Sequence, residues 1–430
     1  MDYHSRPPLP PADSGIVYQL DTPTNDIDQV SKTGFVFKET KTVFGVKWPR
    51  TFVQIRGVFV EFFPVDSLTK PSLTLHVSSC VFSSITKNNQ HCVHVQSGSN
   101  NIYFYSGSFK DVDEWIAALS SAQALSKYLS TCDIESIIPD SDILPVFALS
   151  NCDVTTFTIQ NNHMLVKVFS CIAVPLQYSK LHSLSLINVA LTDESLYFLE
   201  SALSRITSLL DVNLSQNKLS EIGGSILGTV LSKSHSIRSV ILDDNHLSNG
   251  GLEAVVSGLT SHRITSNNGP VALHTLSVRN NSITGEGIQL MVDYMVPDYS
   301  DNLDQQSIIP IQNIYLGQNS LGDLGIALLK RIAFASFLKV LDLSFCNFTS
   351  RGSELLTMML QNNDSLAEID LSGCELNSVA IIQLAKLISI HPRLCIVRLD
   401  KCSVHWEEIE LLLNVSSSKE LSISDLVIKK

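Results

Sequence analysis

Few residues in this 430-residue chain are placed to do chemistry, and their spacing decides what kind. Cys346, Cys374 and Cys402 recur every 28 residues. Such a column resembles a metal ladder, but adjacent strands lie about 4.8 Å apart, too far for neighbouring thiolates to share one tetrahedral ion. No nucleophile–base pair, HExxH motif, Walker loop or clustered acid pair occurs, and the 12 histidines are scattered. Neither enzymatic chemistry nor a cofactor or metal is therefore expected. Recognition chemistry is expected instead, from two sets of side chains. Lys38, Lys41, Lys47 and Arg50 gather cations near the start of the chain. A second set, mostly carboxylates with a few arginines and aromatics, recurs periodically further on.

Composition narrows the partners. With 44% hydrophobic and 17% charged residues, wholesale disorder is excluded. The mean hydropathy of +0.17 prompts a search for a membrane span, but no apolar run reaches the roughly 18 residues that one needs. The opening MDYHSRPPLPPADSG has no apolar core of a secretory signal. Nine cysteines, with no CxxC and no His/Cys cluster, argue against a disulfide framework and fit a reducing cytoplasm. The net charge of -12 is uneven: residues 30–125 carry nine Lys/Arg against six Asp/Glu, and residues 151–430 carry 19 against 27. So acidic a chain lacks the basic footprint that nucleic-acid binding requires.

The elements that must hold these residues divide the chain near residue 150. Residues 1–30 are rich in Pro, Asp, Ser and Thr and read as a disordered tail, with Arg6-Pro7-Pro8-Leu9-Pro10-Pro11 able to form polyproline II. Over 31–125, short alternating runs separated by polar turns predict antiparallel strands: 34–38, 50–55, 58–63, 72–77, 92–95 and 102–105. A helix over 111–119 follows, with acidic residues in its first turn and Val112, Trp115, Ile116 and Leu119 on one face. That face would plug an open barrel end. Together, Lys47-Trp48-Pro49-Arg50-Thr51-Phe52-Val53 and Asp113-Glu114-Trp115-Ile116-Ala117-Ala118-Leu119 resemble the pleckstrin-homology (PH) domain. The resemblance implies a β-barrel closed by a C-terminal helix. In phosphoinositide-binding members, a Lys on the first strand joins two basic residues on the second. Lys38 and Arg50 hold the outer positions here, while Trp48 stands at the middle one beside Lys47. Lys38, Lys41, Lys47 and Arg50 are thus the lipid-contact candidates, for a weak, salt-sensitive attraction to anionic membrane.

Residues 151–430 repeat. The pattern L-x-x-L-x-L-x-x-N/C-x-L starts at 154, 181, 209, 237, 273, 311, 338, 366 and 394, mostly 27 or 28 residues apart. The ninth position is Asn162, Asn217, Asn245, Asn281 and Asn319, then Cys346, Cys374 and Cys402. A buried Asn there can bond backbone groups as the chain turns off the strand, and Cys, a weak donor, can replace it. Gly223, Gly251, Gly287, Gly325 and Gly352, then Ala380, open the following helices and predict close packing against the neighbouring repeat. Gly285-Glu286-Gly287 falls within this frame and is repeat chemistry, not a phosphate loop. Strand-plus-helix units with this glycine resemble ribonuclease-inhibitor-like leucine-rich repeats. The resemblance implies an α/β horseshoe with parallel strands inside and helices outside. Residues 126–150 are expected to link the units and cap the array. A helix from Trp406 to Leu413 and a strand at Leu421-Ser422-Ile423 are expected to close it. Insertions at Ser261–Pro270 and Pro297–Pro310, the second with Tyr299, are candidate contact loops.

Strand positions three, five and seven face away from the repeat core. They present Asp211, Asp243, Arg279, Tyr315, Asp342, Glu368, Asp370, Arg398 and Asp400, with Asp244 and Phe345 one step further. A mostly acidic concave face predicts a protein partner with a basic surface, with Tyr315 and Phe345 as aromatic anchors. The order of modules resembles the N-terminal half of the CARMIL family of actin-cytoskeleton regulators. That resemblance implies a non-enzymatic, cytoplasmic interaction scaffold, peripheral at the plasma membrane or cytoskeleton; the family's capping-protein activity is not carried over. Two alternatives use the same modules: a GTPase-activating protein of the Ran-activator type, and a peripheral phosphoinositide sensor.

Overall fold

Two hydrophobic rhythms run along the chain, and each builds its own sheet. The computed structural model describes residues 30–140, 143–144, 155–177, 179–234, 236–261, 273–296, 311–335, 338–415, 420–422 and 427–428. The expected tail over 1–29, and the insertions after Ser261 and over 297–310, lie outside the described residues.

The first unit is a PH-like antiparallel sandwich. Its strands are β1 (Val30–Lys38), β2 (Thr40–Thr42), β3 (Gly45–Lys47), β4 (Arg50–Arg56), β5 (Phe59–Pro64), β6 (Leu73–His76), β7 (Cys80–Lys87), β8 (Gln90–Ser97) and β9 (Asn100–Tyr105). Seven of them pair in the order β6-β5-β4-β1-β9-β8-β7. Alternation buries Val53 and Ile55 on β4 against Val60 and Phe62 on β5. β2 and β3 form a separate hairpin that extends from the β1–β4 connection. Sequence reasoning missed this hairpin, and also β7, whose Ser and Thr residues blur its alternation.

Helix α1 (Phe109–Ile134) closes this unit. The Ser108 hydroxyl accepts the Asp111 N–H at 3.2 Å, and the Asp111 carboxylate accepts the Ser108 N–H at 3.1 Å, so two orphan donors are satisfied at once. Val112, Trp115, Ala118, Leu119 and Ala122 enter the sheet core, where Trp115 meets Phe104 edge to face at 5.8 Å. The helix runs well past the expected end at Leu119. No Gly or Pro interrupts it, and Ala, Ser, Leu and Lys carry it on. Leu125, Tyr128 and Cys132, near its end, belong to the core of the second unit. One helix is thus the last element of the sandwich and the first layer of the solenoid.

The second unit is a parallel sheet of ten strands among the described residues. They are β10 (Thr156–Gln160), β11 (Ser183–Ile187), β12 (Asp211–Asn213), β13 (Ser239–Ile241), β14 (Thr275–Ser277), β15 (Asn313–Tyr315), β16 (Val340–Asp342), β17 (Glu368–Asp370) and β18 (Ile396–Arg398), with β20 (Glu420–Ser422) at the end; β19 (Ser403–Val404) pairs with β21 (Val427–Ile428). Between them run α2 (Val166–Leu176), α3 (Asp193–Leu203), α4 (Glu221–Lys233), α5 (Ser248–Ser261), α6 (Gly285–Met295), α7 (Gly322–Ala335), α8 (Ser350–Gln361), α9 (Ser378–Ile390) and α10 (Trp406–Val415). Register aligns equivalent residues: Val212, Val240, Leu276, Ile314, Leu341, Ile369 and Val397 form one buried row.

The small helix residues do allow close approach. A Cβ on Gly228 would stand 2.3 Å from the Ala254 carbonyl, and one on Gly224 would stand 2.5 Å from the Gly251 Cα, so α4 and α5 meet backbone to backbone. Gly223, Gly287 and Gly352 have a further reason. At each, a Cβ would lie 2.5 Å from an oxygen of the preceding repeat, on Asp193, Asn249 and Asp323 respectively. Those oxygens accept the N–H of the next helix cap: Ser220 at 2.8 Å, Thr284 at 2.9 Å and Thr349 at 2.7 Å.

Candidate functional site

The ninth-position column sets the strand-to-loop turn that shapes the concave face. The Asn319 side chain accepts N–H bonds from Asn281 (2.9 Å) and Ile283 (3.0 Å) and donates to the carbonyls of Val278 and Leu316 (both 2.8 Å). Asn217 makes the same kind of set with Val189, Leu191, Leu186 and Leu214. In the last repeats the thiols of Cys346, Cys374 and Cys402 donate to the carbonyls of Leu316, Leu343 and Leu371, at 3.4, 3.1 and 3.2 Å. Burial raises these thiols, Cys374 to about 12 and Cys402 to about 11, so they stay protonated and act as structural donors. Among the described residues no cluster of three His, Cys, Asp or Glu could hold a metal.

Just before this column, position eight takes positive φ in every repeat: Asn161, Asn188, Gln216, Asp244, Asn280, Gln318, Phe345, Gly373 and Lys401, from 47° to 67°. Asn and Asp tolerate this conformation, but a phenylalanine there is costly. Phe345 is nevertheless 39% exposed, and its ring fills the space that a side chain on Gly373 would need: a Cβ there would lie 2.1 Å from Cε1. The missing side chain of one repeat seats the aromatic ring of the previous one.

Around Phe345 the concave face concentrates its chemistry. Tyr315, Asp342, Asp370 and Arg398 are side-by-side partners on β15 to β18. Arg279 pairs with Asp342, only 1% exposed, and its guanidinium lies over the Tyr315 ring at 4.7 Å. Arg398 pairs with Glu368. The expected run of like charges is therefore interrupted by arginines from other repeats, because uncompensated neighbouring carboxylates are unfavourable. Of the seven carboxylates named from the sequence, two are held in these pairs. Asp243 is clasped across repeats by the Ser277 hydroxyl at 2.5 Å and the Arg279 N–H at 2.9 Å, and Asp244 accepts from Asn280 at 2.9 Å. Burial raises the Asp243 carboxyl; burial, then the Asp342 charge, raises Asp370. Asp211 stands apart and exposed on β12, and Asp400 follows β18 at the far end.

The four N-terminal cations are held in different surroundings. Lys38 turns over the Phe62 ring, 4.8 Å from its centroid, and burial lowers its pKa. Arg50 lies over Phe35 at 4.0 Å. Lys41 and Lys47 project from the β2–β3 hairpin into solvent. Sequence reasoning missed what this hairpin displays at its tip, Val43 and Phe44. The available signal was an apolar pair between lysines where a turn was due.

A family model of the PH domain matches residues 30–124, and one of the leucine rich repeat matches residues 335–356. Ribonuclease inhibitor of Sus scrofa is 28% identical over 220 residues, 46% of this chain and 46% of that protein. This chain is a PH domain followed by leucine-rich repeats that resemble ribonuclease inhibitor. The NACHT, LRR and PYD domains-containing protein 3 of Rattus norvegicus is 21% identical over 229 residues, 46% of this chain and 20% of that protein. The chain thus spans less than half the length of these curated relatives. Among solved structures, the C-terminal PH domain of pleckstrin in complex with D-myo-Ins(1,2,3,5,6)P5 is 16% identical, with a TM-score of 0.20, covering 22% of this chain and 97% of that one. The PH domain of human pleckstrin homology domain-containing protein family A member 5 is 13% identical, with a TM-score of 0.21, covering 27% and 92%. No helix among the described residues is long and apolar enough to cross a membrane.

Proposed function

We propose that this chain is a non-enzymatic adaptor with two working surfaces, a concave protein-docking face on the repeats and a weak anionic-membrane contact on the PH unit. One observation carries the docking assignment: Arg279, Tyr315, Asp342, Phe345, Glu368 and Arg398 form a pre-ordered patch of aromatic rings and paired charges at mid-array. Aromatic and arginine side chains held rigid lose little entropy when a partner binds, which makes such a patch a binding centre. Among the named residues of this face seven are carboxylates and two are arginines, so the partner's contacting surface is basic. The order of modules, as in the CARMIL family, motivates a place beside the actin cytoskeleton at the membrane. A photo-crosslinking residue at Tyr315, compared with one at Ile222 on the convex side, tests the docking face in cells. Discrete adducts from Tyr315 alone support it; adducts from Ile222 alone contradict it.

A further inference from the structure

The outward face of the PH-like sandwich breaks the rule that the outside of such a sheet is polar. Residues that alternate with the core ordinarily face water. Strand β8 obeys: Val93 and Val95 are buried, while His94 and Gln96 point the other way. Strands β1, β4, β5 and β9 do not. On the side opposite buried Val36 and Val53, direct pairing sets Phe35 beside Phe52 and Phe52 beside Phe63. Two residues further along β1, it sets Phe37 beside Arg50 and Tyr105. The rings meet: Phe35 and Phe52 edge to face at 5.2 Å, Phe37 and Tyr105 stacked at 5.1 Å, Trp48 and Tyr105 edge to face at 5.3 Å. An aromatic stripe thus crosses four strands. Phe35 is still 41% exposed and Phe37 40%. An apolar stripe that its own sheet leaves open marks an interaction surface.

Rings laid across a sheet suit a polyproline II segment. Proline rings pack on aromatic faces, the helix is pre-ordered, and proline brings no N–H to strand on an apolar surface. The chain carries such a segment. Arg6-Pro7-Pro8-Leu9-Pro10-Pro11 holds two overlapping P-x-x-P frames, Pro7 with Pro10 and Pro8 with Pro11. Its distance along the chain fits. The 18 residues between Pro11 and Val30, where β1 starts, span about 20–25 Å root-mean-square as a flexible linker. Phe35 and Phe37 lie roughly 17–23 Å along β1 from Val30. A linker matched to its span raises the effective concentration of the segment to about millimolar. Charge fits as well. Those 18 residues hold Asp13, Asp21, Asp26 and Asp28 and no Lys or Arg. Exposed Arg50 lies over Phe35, and exposed Lys47 shares an open hollow with Trp48.

We propose that Arg6–Pro11 docks on the aromatic stripe of its own PH unit, with the aspartates that follow it drawn to Lys47 and Arg50. The stripe is then a polyproline site that the chain itself occupies, and a proline-rich segment of another protein must compete for it. The test places p-benzoylphenylalanine at Phe37 of the full chain and maps the adducts formed in an equal mixture of unlabelled and isotope-labelled copies. Adducts with residues 5–12 of the same copy are expected, falling about tenfold when Pro7→Ser, Pro8→Ser, Pro10→Ser and Pro11→Ser are made together. In chains carrying fluorotryptophan, the same four substitutions are expected to shift the Trp48 fluorine resonance and to leave that of buried Trp115 in place. Adducts that join two copies, adducts only with other segments, no adducts, adducts that the proline variant leaves undiminished, or an unmoved Trp48 resonance would overturn the proposal.

Discussion

The repeat lattice of the solenoid and the β2–β3 hairpin of the sandwich place their side chains in opposite ways. In the solenoid a polar group finds its partner one or two repeats away: Asp193 takes the Ser220 cap, Asn319 spans two turns, and Arg279 reaches Asp342. Its apolar rows are sealed between strands and helices. The sandwich projects a hairpin beyond its seven-stranded sheet, where Val43, Phe44, Lys41 and Lys47 are exposed. A lattice satisfies itself and recognises through a rigid patterned face, while a protruding tip keeps its side chains for something outside the protein.

This contrast can be broken by substitution, and the largest effect is expected in the lattice. Asn319→Ala strands two N–H groups and two carbonyls, and unfolding in urea should show a loss of about 3–4 kcal/mol. Cys374→Ala removes one weak donor and should lose only about 1 kcal/mol; equal losses would mean the column is not held by hydrogen bonds. Arg279→Leu leaves the Asp342 carboxylate buried without its ion pair and should lose about 3 kcal/mol at neutral pH, a deficit that Asp342→Asn in the same chain reduces. Gly373→Ala forces a side chain into positive φ and into the Phe345 ring, for about 2 kcal/mol and a changed ring environment seen by NMR.

A smaller effect sharpens the comparison through pH. The Thr349 hydroxyl, then the Thr349 and Gly352 N–H groups, hold the Asp323 carboxyl below its ordinary value against modest desolvation. A depressed folded value means that its contribution is fully present above the unfolded value and is lost as pH falls through the folded one. Asp323→Ala should therefore cost about 1 kcal/mol at neutral pH, given its solvent exposure, and the gap to wild type should close in acid. Asp243 and Asp370, raised by burial, act in the opposite sense: their ionisation costs stability as pH rises from the unfolded value towards the folded one. The smallest effect is expected at the tip, where Phe44→Ser should shift stability by no more than about 0.5 kcal/mol.

The repeat was legible because its signal recurs. Leu, Asn and Gly at set offsets state the strand, the turn and the helix packing many times over, and the structure places them so. The ends of elements were less legible. α1 continues past Leu119 because its sequence remains helix-favouring, and only the packing of Leu125, Tyr128 and Cys132 shows that it serves a second core. The charge pattern misled in part. Residues up to 63 positions apart in the chain, such as Arg279 and Asp342, pair across the solenoid, and a reading strand by strand sees only the carboxylates. The surroundings of the lysine set were illegible for a similar reason. Lys38 and Arg50 have aromatic rings within reach, and those rings come from sheet pairing that spacing alone does not reveal.

The central claim is that the two surfaces act separately, and one measurement addresses it directly. Phosphatidylserine-vesicle co-sedimentation of the wild type, of the double variant Lys41→Glu, Lys47→Glu, and of the double variant Tyr315→Ala, Phe345→Ala would be compared at matched salt. The account predicts that the lysine double variant loses most of its vesicle association and the concave double variant keeps all of it. Loss of association by the concave variant, or its retention by the lysine variant, would contradict the account.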